Sequence, residues 1–282
     1  MGRFPTQRAR LSVRNPGGDV RVETADVAET TVELVPLDDS DATRAAIDKA
    51  HVEARGDEVV VEIESRRGWS IAIGEWSLGR SPKVGVRITC PYGSDLDVKT
   101  AAADVTASGR VGDTAVQTAS GSVELVHVGG SLTLRTASGD VTVERVDGRA
   151  TVQGVSGDIE LGSVGGDLTV NAVSGDVTVG DAGGDLSVTT VSGDQAVRAA
   201  GPGDVRLKAV SGDVEVLLRQ GLRIRLDVNS VSGTISSELE VGDAPAAAER
   251  PEADLRVRTV SGDVRIGRAQ SSESASAKIA LA

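Results

Sequence analysis

The sequence predicts an all-β protein, a repeat β-solenoid of the single-chain β-helix or β-roll type, with about 18 residues per coil and one short N-terminal helix. Three observations predict this fold. Ser-Gly pairs recur every eighteen residues, short apolar-polar-apolar triplets lie between them, and the 282 residues include 34 glycines but only 1% aromatic residues. A core without aromatic rings has to be built from Val, Leu, Ile and Ala, which suits thin and regular layers.

The repeat is strictest in the middle of the chain. Ser-Gly pairs begin there at positions 120, 138, 156, 174 and 192, and half-way turns such as Gly165-Gly166-Asp167 lie between them. Further along, the spacing loosens to nineteen, twenty-one and then twenty-nine residues. A fixed period of this kind is typical of stacked repeats, in which each unit buries its apolar side chains against its neighbours.

Each half of the period reads as one short strand and one corner. The half that begins at Val177 continues through Val179 and Ala182 to Gly-Gly-Asp, and the next half runs from Leu186 through Val191 to Ser-Gly-Asp. Alternation of this kind is typical of a half-buried strand whose Thr or Ser faces water. It predicts three buried apolar side chains per half and a glycine at each corner. A meander of β-hairpins with the same spacing is the rival geometry.

Residues 1–100 are less regular and are predicted to form an N-terminal β region with a capping helix. The segment 40–50, SDATRAAIDKA, has the helical pattern and begins with helix-capping residues. We expect this helix to lie over an open end of the stack. The segment 66–81 contains Trp69 and Trp76. We expect the two rings either to plug the end of the narrow core or to form a binding loop.

The repeat solenoid itself is predicted to span residues 101–267. Within it, the segment 241–254 is rich in Ala, Pro and charged residues, which predicts a surface loop before the last Ser-Gly-Asp. The small and polar residues 268–282 predict a flexible tail.

Charge and cysteine content restrict the expected partners and compartment. Thirty basic against forty-two acidic residues give a net charge of −12, so attraction to nucleic acid or to anionic lipid is not expected. Cys90 is the only cysteine, so an internal disulfide is excluded. The sequence shows neither a signal-peptide pattern nor an apolar stretch of about 18 residues that could span a membrane. These features favour a cytoplasmic location.

Residue types that often carry catalysis are few and isolated. The sequence contains no nucleophile elbow, Walker loop, His-Glu-x-x-His motif or EF-hand loop. His51 and His127 are the only histidines, and Cys90 is expected to be a small buried residue at a strand end. Glycan-cleaving β-helices use paired carboxylates and sugar-stacking rings, and no aromatic residue follows Tyr92. The sequence therefore predicts no enzyme and no cofactor.

Aspartates at the Ser-Gly-Asp corners form the one notable set of ionisable residues. The predicted column contains Asp140, Asp158, Asp176, Asp194, Asp213 and Asp263, and Asp167 and Asp185 begin a second column. We expect their carboxylates to accept hydrogen bonds from backbone amides one or two residues further on. Weak cation binding is the alternative. Calcium is not expected, because the calcium-binding β-roll pattern Gly-Gly-x-Gly-x-Asp differs in its second glycine and in the place of its Asp.

Several stretches resemble a bacterial family of β-strand-repeat proteins of unknown function, whose members carry the labels "putative adhesin" or toast-rack domain. The matching stretches are NPGGDVRV at 15–22, VRITCPYGSDLDVKTAAADV at 86–105, the TASGDVTV and AVSGDVTV units, and LRVRTVSGDVRIG at 255–267. The resemblance implies a β-solenoid-like fold without a recognised active site or cofactor. It also implies an association with cell-envelope stress systems.

These observations predict a non-enzymatic scaffold whose regular faces bind a protein partner that the sequence does not identify. One alternative is a cell-surface adhesin that is exported by an unrecognised route. Another is a bactofilin-like polymer former whose coils join end to end. The candidate interaction surface consists of Thr142, Glu144, Thr169, Thr178 and Ser187 on the strands, together with Trp69 and Trp76.

Overall fold

The computed structural model describes residues 2–5, 8–64, 82–239 and 252–269. The chain divides into two compact units, residues 1–148 and 149–282. Trp69 and Trp76 lie outside the described residues, and so do most of the predicted surface loop and most of the predicted tail.

In both units, the strands of the repeat pair in parallel with their counterparts one coil away. In the first unit Thr114 lies opposite Leu132, and in the second Leu168 lies opposite Leu186. Each pair is eighteen residues apart in sequence, which is the period of the Ser-Gly repeat. This register confirms the β-solenoid and rules out the hairpin meander, in which neighbouring strands would run antiparallel.

The described residues of the first unit form one helix and strands from both halves of the repeat. Its elements are β1 (Gly2–Pro5), β2 (Arg10–Ala25), β3 (Glu29–Pro36), α1 (Asp41–Asp48), β4 (His51–Arg55), β5 (Glu58–Glu62), β6 (Val84–Pro91), β7 (Asp95–Val111), β8 (Thr114–Thr118), β9 (Val123–Val128), β10 (Leu132–Ser138) and β11 (Val141–Val146).

The long strand β2 lies in the interior of the first unit. One edge of β2 pairs with β7 through both halves of the repeat, from Arg10 opposite Asp95 to Glu23 opposite Ser108. Its other edge pairs with β5 and then with β6. From β7 the pairing continues to β8 and β10, and to β9 and β11. A segment near the start of the chain is therefore held on both edges by strands that follow it in sequence.

Antiparallel strands and the helix cover the far side of this unit. There β4 pairs with β5, β3 with β6, and β1 with β3. Helix α1 packs on β3 and β6. Ser40 caps it by accepting a hydrogen bond from the backbone N–H of Thr43 at 3.2 Å, and the Thr43 hydroxyl accepts one from the backbone N–H of Lys83 at 3.0 Å. In the described parts of the chain, no helix is long and apolar enough to cross a membrane.

The second unit is the more regular one. Its strands are β12 (Ala150–Ser156), β13 (Ile159–Val164), β14 (Leu168–Ser174), β15 (Val177–Ala182), β16 (Leu186–Ser192), β17 (Gln195–Ala200), β18 (Gly203–Ser211), β19 (Val214–Leu218), β20 (Arg223–Ser232), β21 (Ile235–Ser237), β22 (Glu252–Ser261) and β23 (Val264–Arg268).

Even-numbered strands of this unit form one parallel sheet, sheet A, and odd-numbered strands form another, sheet B. The order in sheet A is β12-β14-β16-β18-β22-β20. The order in sheet B is β13-β15-β17-β19-β23-β21. In both sheets the coil 252–268 is inserted between the coils 203–218 and 223–237. The irregular spacing of the last Ser-Gly pairs therefore accompanies an exchange in the stacking order of two coils.

The prediction of three buried apolar side chains per half is correct for β13, β15 and β19 of sheet B, whereas β17 buries Gln195 at the first of these positions. In sheet A the prediction is wrong for the residue before the turn, which is an exposed valine. In β15 the side chains of Val177, Val179 and Ala182 are all buried. Two consecutive residues that are not buried, Gly180 and Asp181, separate Val179 from Ala182, so the inward-outward alternation shifts by one position. In β16 the alternation is strict, so Thr190 points inward and Val191 is 46% exposed.

Candidate functional site

Corner aspartates tie each coil of the second unit to the next. Oδ1 of Asp158 accepts a hydrogen bond from the backbone N–H of Asp176 at 2.8 Å, and Oδ1 of Asp176 accepts one from Asp194 at 2.8 Å. Asp194 accepts one from Asp213 in the same way at 2.7 Å. The acceptor function was predicted, but the partner amide lies one coil away instead of one or two residues along the chain. Each N–H dipole offsets part of the repulsion between stacked carboxylates.

The second aspartate column has the same geometry. Oδ1 of Asp167 accepts from the N–H of Asp185 at 3.4 Å. A corner of the first unit has the equivalent contact, in which Oδ1 of Asp95 accepts from the N–H of Asp113 at 3.0 Å. In the second unit, Oδ1 of Asp185 accepts from the N–H of Asp204 at 2.9 Å. Asp140 lies at a Ser-Gly-Asp corner of the first unit. Within the residues that the structure describes, no three His, Cys, Asp or Glu side chains converge as metal ligands.

His127 belongs to a charged cluster around Asp147 in the first unit. Its Nε2 lies 2.9 Å from Oδ2 of Asp147, Arg145 donates to Oδ1 at 2.7 Å, and Arg110 lies 3.4 Å from Oδ2. The hydrogen bonds from Arg145 and His127 lower the pKa of Asp147 to about 2. Asp147 therefore stays ionised at neutral pH and orients the imidazole.

The other two candidates for catalysis have unremarkable positions. Cys90 is fully buried in β6, and burial raises the pKa of its thiol to about 11. It is therefore a protonated core residue, as the sequence suggests. His51 is exposed at the start of β4, opposite Glu62.

A shallow cleft of about 300 Å³ in the first unit is lined by Arg8, Tyr92, Arg110 and several glycines. Arg8 is already paired with Asp95 at 2.8 Å, and Arg110 belongs to the Asp147 cluster. Neither guanidinium is free to neutralise a ligand, so the cleft is a weak candidate for a binding site.

A row of exposed valines runs along the outer face of sheet A. Each of them directly precedes a Ser-Gly turn, and their exposed fractions lie between 45% and 77%. We call this set the valine column; in spatial order it consists of Val155, Val173, Val191, Val210, Val260 and Val231.

The valine column follows from the register of sheet A. Ala172 lies opposite Thr190, and Ser174 lies opposite Ser192. Val173 therefore lies beside Val191 of the next coil. Stacked strands lie about 4.8 Å apart, so the side chains of adjacent valines touch. Isolated exposed valines are ordinary, whereas a contiguous apolar row is typical of an interaction surface.

The predicted strand residues fall on separate surfaces. Thr169 and Ser187 are neighbours in sheet A, whereas Thr178 lies in sheet B opposite Glu160. Thr142 and Glu144 lie on β11 of the first unit and are exposed.

The valine column was missed because its members were expected in the core. Neighbouring residues give no signal of this exposure: a valine repeats before the turn and the residue before it varies among Gly, Ala, Thr and Ser, but this pattern does not show which of the two points inward.

Comparison with known proteins agrees with this architecture. The Toastrack DUF4097 family matches residues 8–267. No curated protein matches the chain.

Among solved structures, the chain is similar to a "putative adhesin" from Parabacteroides distasonis ATCC 8503, with 10% identity over 94% of this chain and 95% of that chain and a TM-score of 0.38. It is also similar to a "putative adhesin" from Parabacteroides merdae ATCC 43184, with 12% identity over 94% of both chains and a TM-score of 0.38. A "putative lipid binding protein" from P. distasonis shares 12% identity over 95% of this chain and 94% of that chain, with a TM-score of 0.40. Since the family match covers nearly the whole of the repeat and the strands before it, the chain belongs to the Toastrack DUF4097 family.

Proposed function

We propose that this Toastrack protein is a non-enzymatic binding scaffold and that the outer face of sheet A is its docking surface for a protein partner. The valine column carries the proposal. Apolar side chains in contact with water have an unfavourable hydration free energy, which burial against a partner would relieve. A contiguous row of such side chains therefore favours a binding surface over an inert one.

The architecture around the valine column suits such a role. Thr169 and Ser187 lie on the same face and offer hydroxyl groups for hydrogen bonds beside the apolar row. The aspartate column links successive coils through amide hydrogen bonds. A surface that is already ordered loses little conformational entropy when it binds, and this improves affinity.

The state of the residues most often used in catalysis also supports a binding protein. Cys90 is buried and His127 is held by Asp147. The aspartate carboxylates accept backbone hydrogen bonds that fix the corners. Each of these residues has a structural partner that accounts for its position.

A triple substitution tests the proposed surface. Val173→Thr, Val191→Thr and Val210→Thr keep the β-branched shape and remove three methyl groups from the outer face. Crosslinking in source cells, followed by affinity capture, should recover a partner with the wild-type chain and at least about tenfold less of it with the variant, since 1.4 kcal/mol corresponds to a factor of ten. The control is Val126→Thr, an exposed valine of the first unit. Equal recovery with all three chains would exclude the valine column as the docking surface.

A cell-surface adhesin is the second candidate. The names of two similar Parabacteroides structures agree with this alternative, and the comparisons give no support to the cytoplasmic location expected from the sequence. Protease treatment of intact source cells, followed by immunoblotting, separates the two locations. Loss of the chain while a cytosolic marker survives would favour the adhesin, whereas protection until lysis would favour an internal scaffold.

The bactofilin-like polymer has less support. End-to-end growth requires open strand edges on which the next copy can stack. In the first unit, β4 covers β5, β3 covers β6, and β1 pairs with the outer edge of β3. These antiparallel strands interrupt the parallel stack that a polymer would have to continue.

A further inference from the structure

Four cationic side chains form a compact group on the outer face of sheet A, which we call the basic block. Arg206 and Lys208 of β18 lie directly opposite Arg256 and Arg258 of β22. Buried residues alternate with them along both strands, so all four point away from the core.

The basic block is electrostatically unfavourable as it stands. Like charges on directly opposed strand residues destabilise a sheet. Asp204 pairs with Arg206 at 2.5 Å, and Asp254 lies 3.7 Å from Arg256. By contrast, in the described part of the chain no carboxylate lies within ion-pair distance of Lys208 or Arg258. Two opposed cations thus face solvent in a protein whose net charge is −12.

On the two flanking strands, the residues directly opposite the basic block are not basic, and Arg223 and Arg225 of β20 are paired with Glu252 and Asp254. On β16, Ser187 lies opposite Arg206 and Thr189 opposite Lys208. On β20, Asp227 lies opposite Arg256 and Asn229 opposite Arg258. The positive charge is therefore local, and Lys208 and Arg258 lie at its least compensated part.

The basic block and the valine column share one face. Lys208 and Val210 are separated only by the buried Ala209, and the same arrangement relates Arg258 to Val260. Two residues along a strand span about 6.5 Å. Cationic and apolar side chains therefore lie side by side on adjacent coils.

We propose that the partner segment that docks on sheet A is an acidic polypeptide, whose carboxylates pair with Lys208 and Arg258 and whose apolar side chains cover Val210 and Val260. This inference rests on the proposed function and specifies the partner's chemistry at the same face. Charge complementarity supplies its specificity, and the valines supply buried apolar area.

The combination of side chains favours a polypeptide over other polyanions. Nucleic acids and sulfated glycans present anions but no apolar side chains for the valine column, and in the described residues sheet A offers no aromatic ring on which bases could stack. A membrane offers both charge and apolar volume. However, Val side chains are shorter than those of Arg and Lys, so the charged ends would meet lipid headgroups before the valines reached the acyl region.

Fluorescence anisotropy with a labelled synthetic peptide tests the inference. The probe peptide contains Glu, Val and Ser in a repeating order. The comparison peptide is identical except that Gln replaces every Glu. The wild-type protein should bind the Glu peptide at least about tenfold more tightly than the Gln peptide, a difference of 1.4 kcal/mol. Lys208→Gln with Arg258→Gln should weaken binding of the Glu peptide by a similar factor.

The matched control removes two cations from sheet B of the same unit. Arg198→Gln with Arg265→Gln changes the net charge equally, and both arginines are exposed. Unchanged peptide affinity in this control supports the inference. An equal loss in both double variants, or equal affinity for the two peptides, would overturn it.

Two further outcomes separate the inference from the proposed function. If Val173→Thr, Val191→Thr and Val210→Thr abolish partner capture but Lys208→Gln with Arg258→Gln does not, docking on sheet A stands and the acidic partner is wrong. If phosphatidylserine vesicles or heparin bind more tightly than the Glu peptide, with the same dependence on Lys208 and Arg258, the ligand is a lipid or a glycan and the inference fails.

Discussion

The residue before the Ser-Gly turn is alanine in the first unit, at Ala119 and Ala137, and valine throughout the second, where six valines stand in register. Both residue types are exposed, and both precede the same kind of corner. The turn geometry therefore does not require valine. The difference lies in the outer face, which is why we propose the docking surface on the second unit.

The two units also differ in how their stacks end. In the first, antiparallel strands and helix α1 cover β5 and β6. In the second, β20 and β21 form the last coil, and core-type positions on it are left partly exposed, as at Leu226 and Ile235. The elements that cover the first stack come from irregular sequence, whereas among the described residues of the second unit no strand or helix outside the repeat covers β20 and β21.

Substitution of a glycine at a Ser-Gly corner, a kind of corner that occurs in each unit, should have the largest effect on stability. Gly175 has a φ of +109°, and a Cβ there would lie 2.2 Å from the carbonyl oxygen of Gly157 one coil away. Gly175→Ala should lower the free energy of unfolding by about 3 kcal/mol or more, because backbone strain and steric overlap add. Urea denaturation measures this loss.

A first-unit glycine provides the control for that substitution. Gly56 has a φ of +64°, but no atom lies within 4 Å of a Cβ built there. Gly56→Ala should therefore cost only about 1 kcal/mol, the strain of a left-handed backbone alone. Equal losses at the two positions would show that close approach between coils is not what requires glycine.

Removal of a corner acceptor should have an intermediate effect that is the same in both units. Asp176→Ala and Asp113→Ala each leave a backbone N–H, of Asp194 or of Ser131, without its carboxylate partner. Each should cost about 1 kcal/mol in urea denaturation, the net value of one hydrogen bond. The corresponding Asn variants keep an acceptor oxygen and should lose less than half as much. An Asn variant as unstable as its Ala counterpart would mean that charge, not the acceptor, stabilises the corner.

Giving each unit the residue that the other has before the Ser-Gly turn, alanine for valine or valine for alanine, should barely change the free energy of unfolding. Val173→Ala, Val191→Ala and Val210→Ala should each shift the free energy of unfolding by no more than about 0.5 kcal/mol, as is usual for surface positions. The triple variant should elute earlier from a hydrophobic-interaction column, and Ala119→Val with Ala137→Val should elute later than the wild type. A loss of several kcal/mol would show that the valine column supports the fold and is not simply a surface.

The last effect is confined to acidic pH and to one cluster of the first unit. The pKa of Asp147 falls from 3.8 to about 2 on folding, so its ionised form stabilises the native state above the unfolded pKa. The difference in Tm between the wild type and Asp147→Asn should be constant above about pH 4 and should vanish as the pH falls towards 2. A difference that does not change with pH would mean that the cluster acts through packing alone.

Much of the fold can be predicted from the sequence because period and alternation are local properties. The strand at Val177, the corner glycines and the burial of Cys90 all follow from neighbouring residues. The exposure of Val191 does not, because it depends on whether the strand shifts its alternation before the turn. The amide that Asp176 binds lies one coil away, a distance that no local pattern encodes. The stacking order of the last coils is likewise invisible, because spacing does not say on which edge a coil pairs.

The insertion of coil 252–268 has a consequence for biosynthesis. During translation, residues 223–237 leave the ribosome before the strands β22 and β23 on which they stack. Strands β20 and β21 therefore lack their native partners until β22 has paired with β18 and β23 has paired with β19. Strand β2 waits in the same way for β5, β6 and β7. Pairing of β2 and of β20 and β21 thus requires later parts of the chain to be synthesised. An incomplete chain therefore retains unpaired strand edges that chaperones and proteases can recognise.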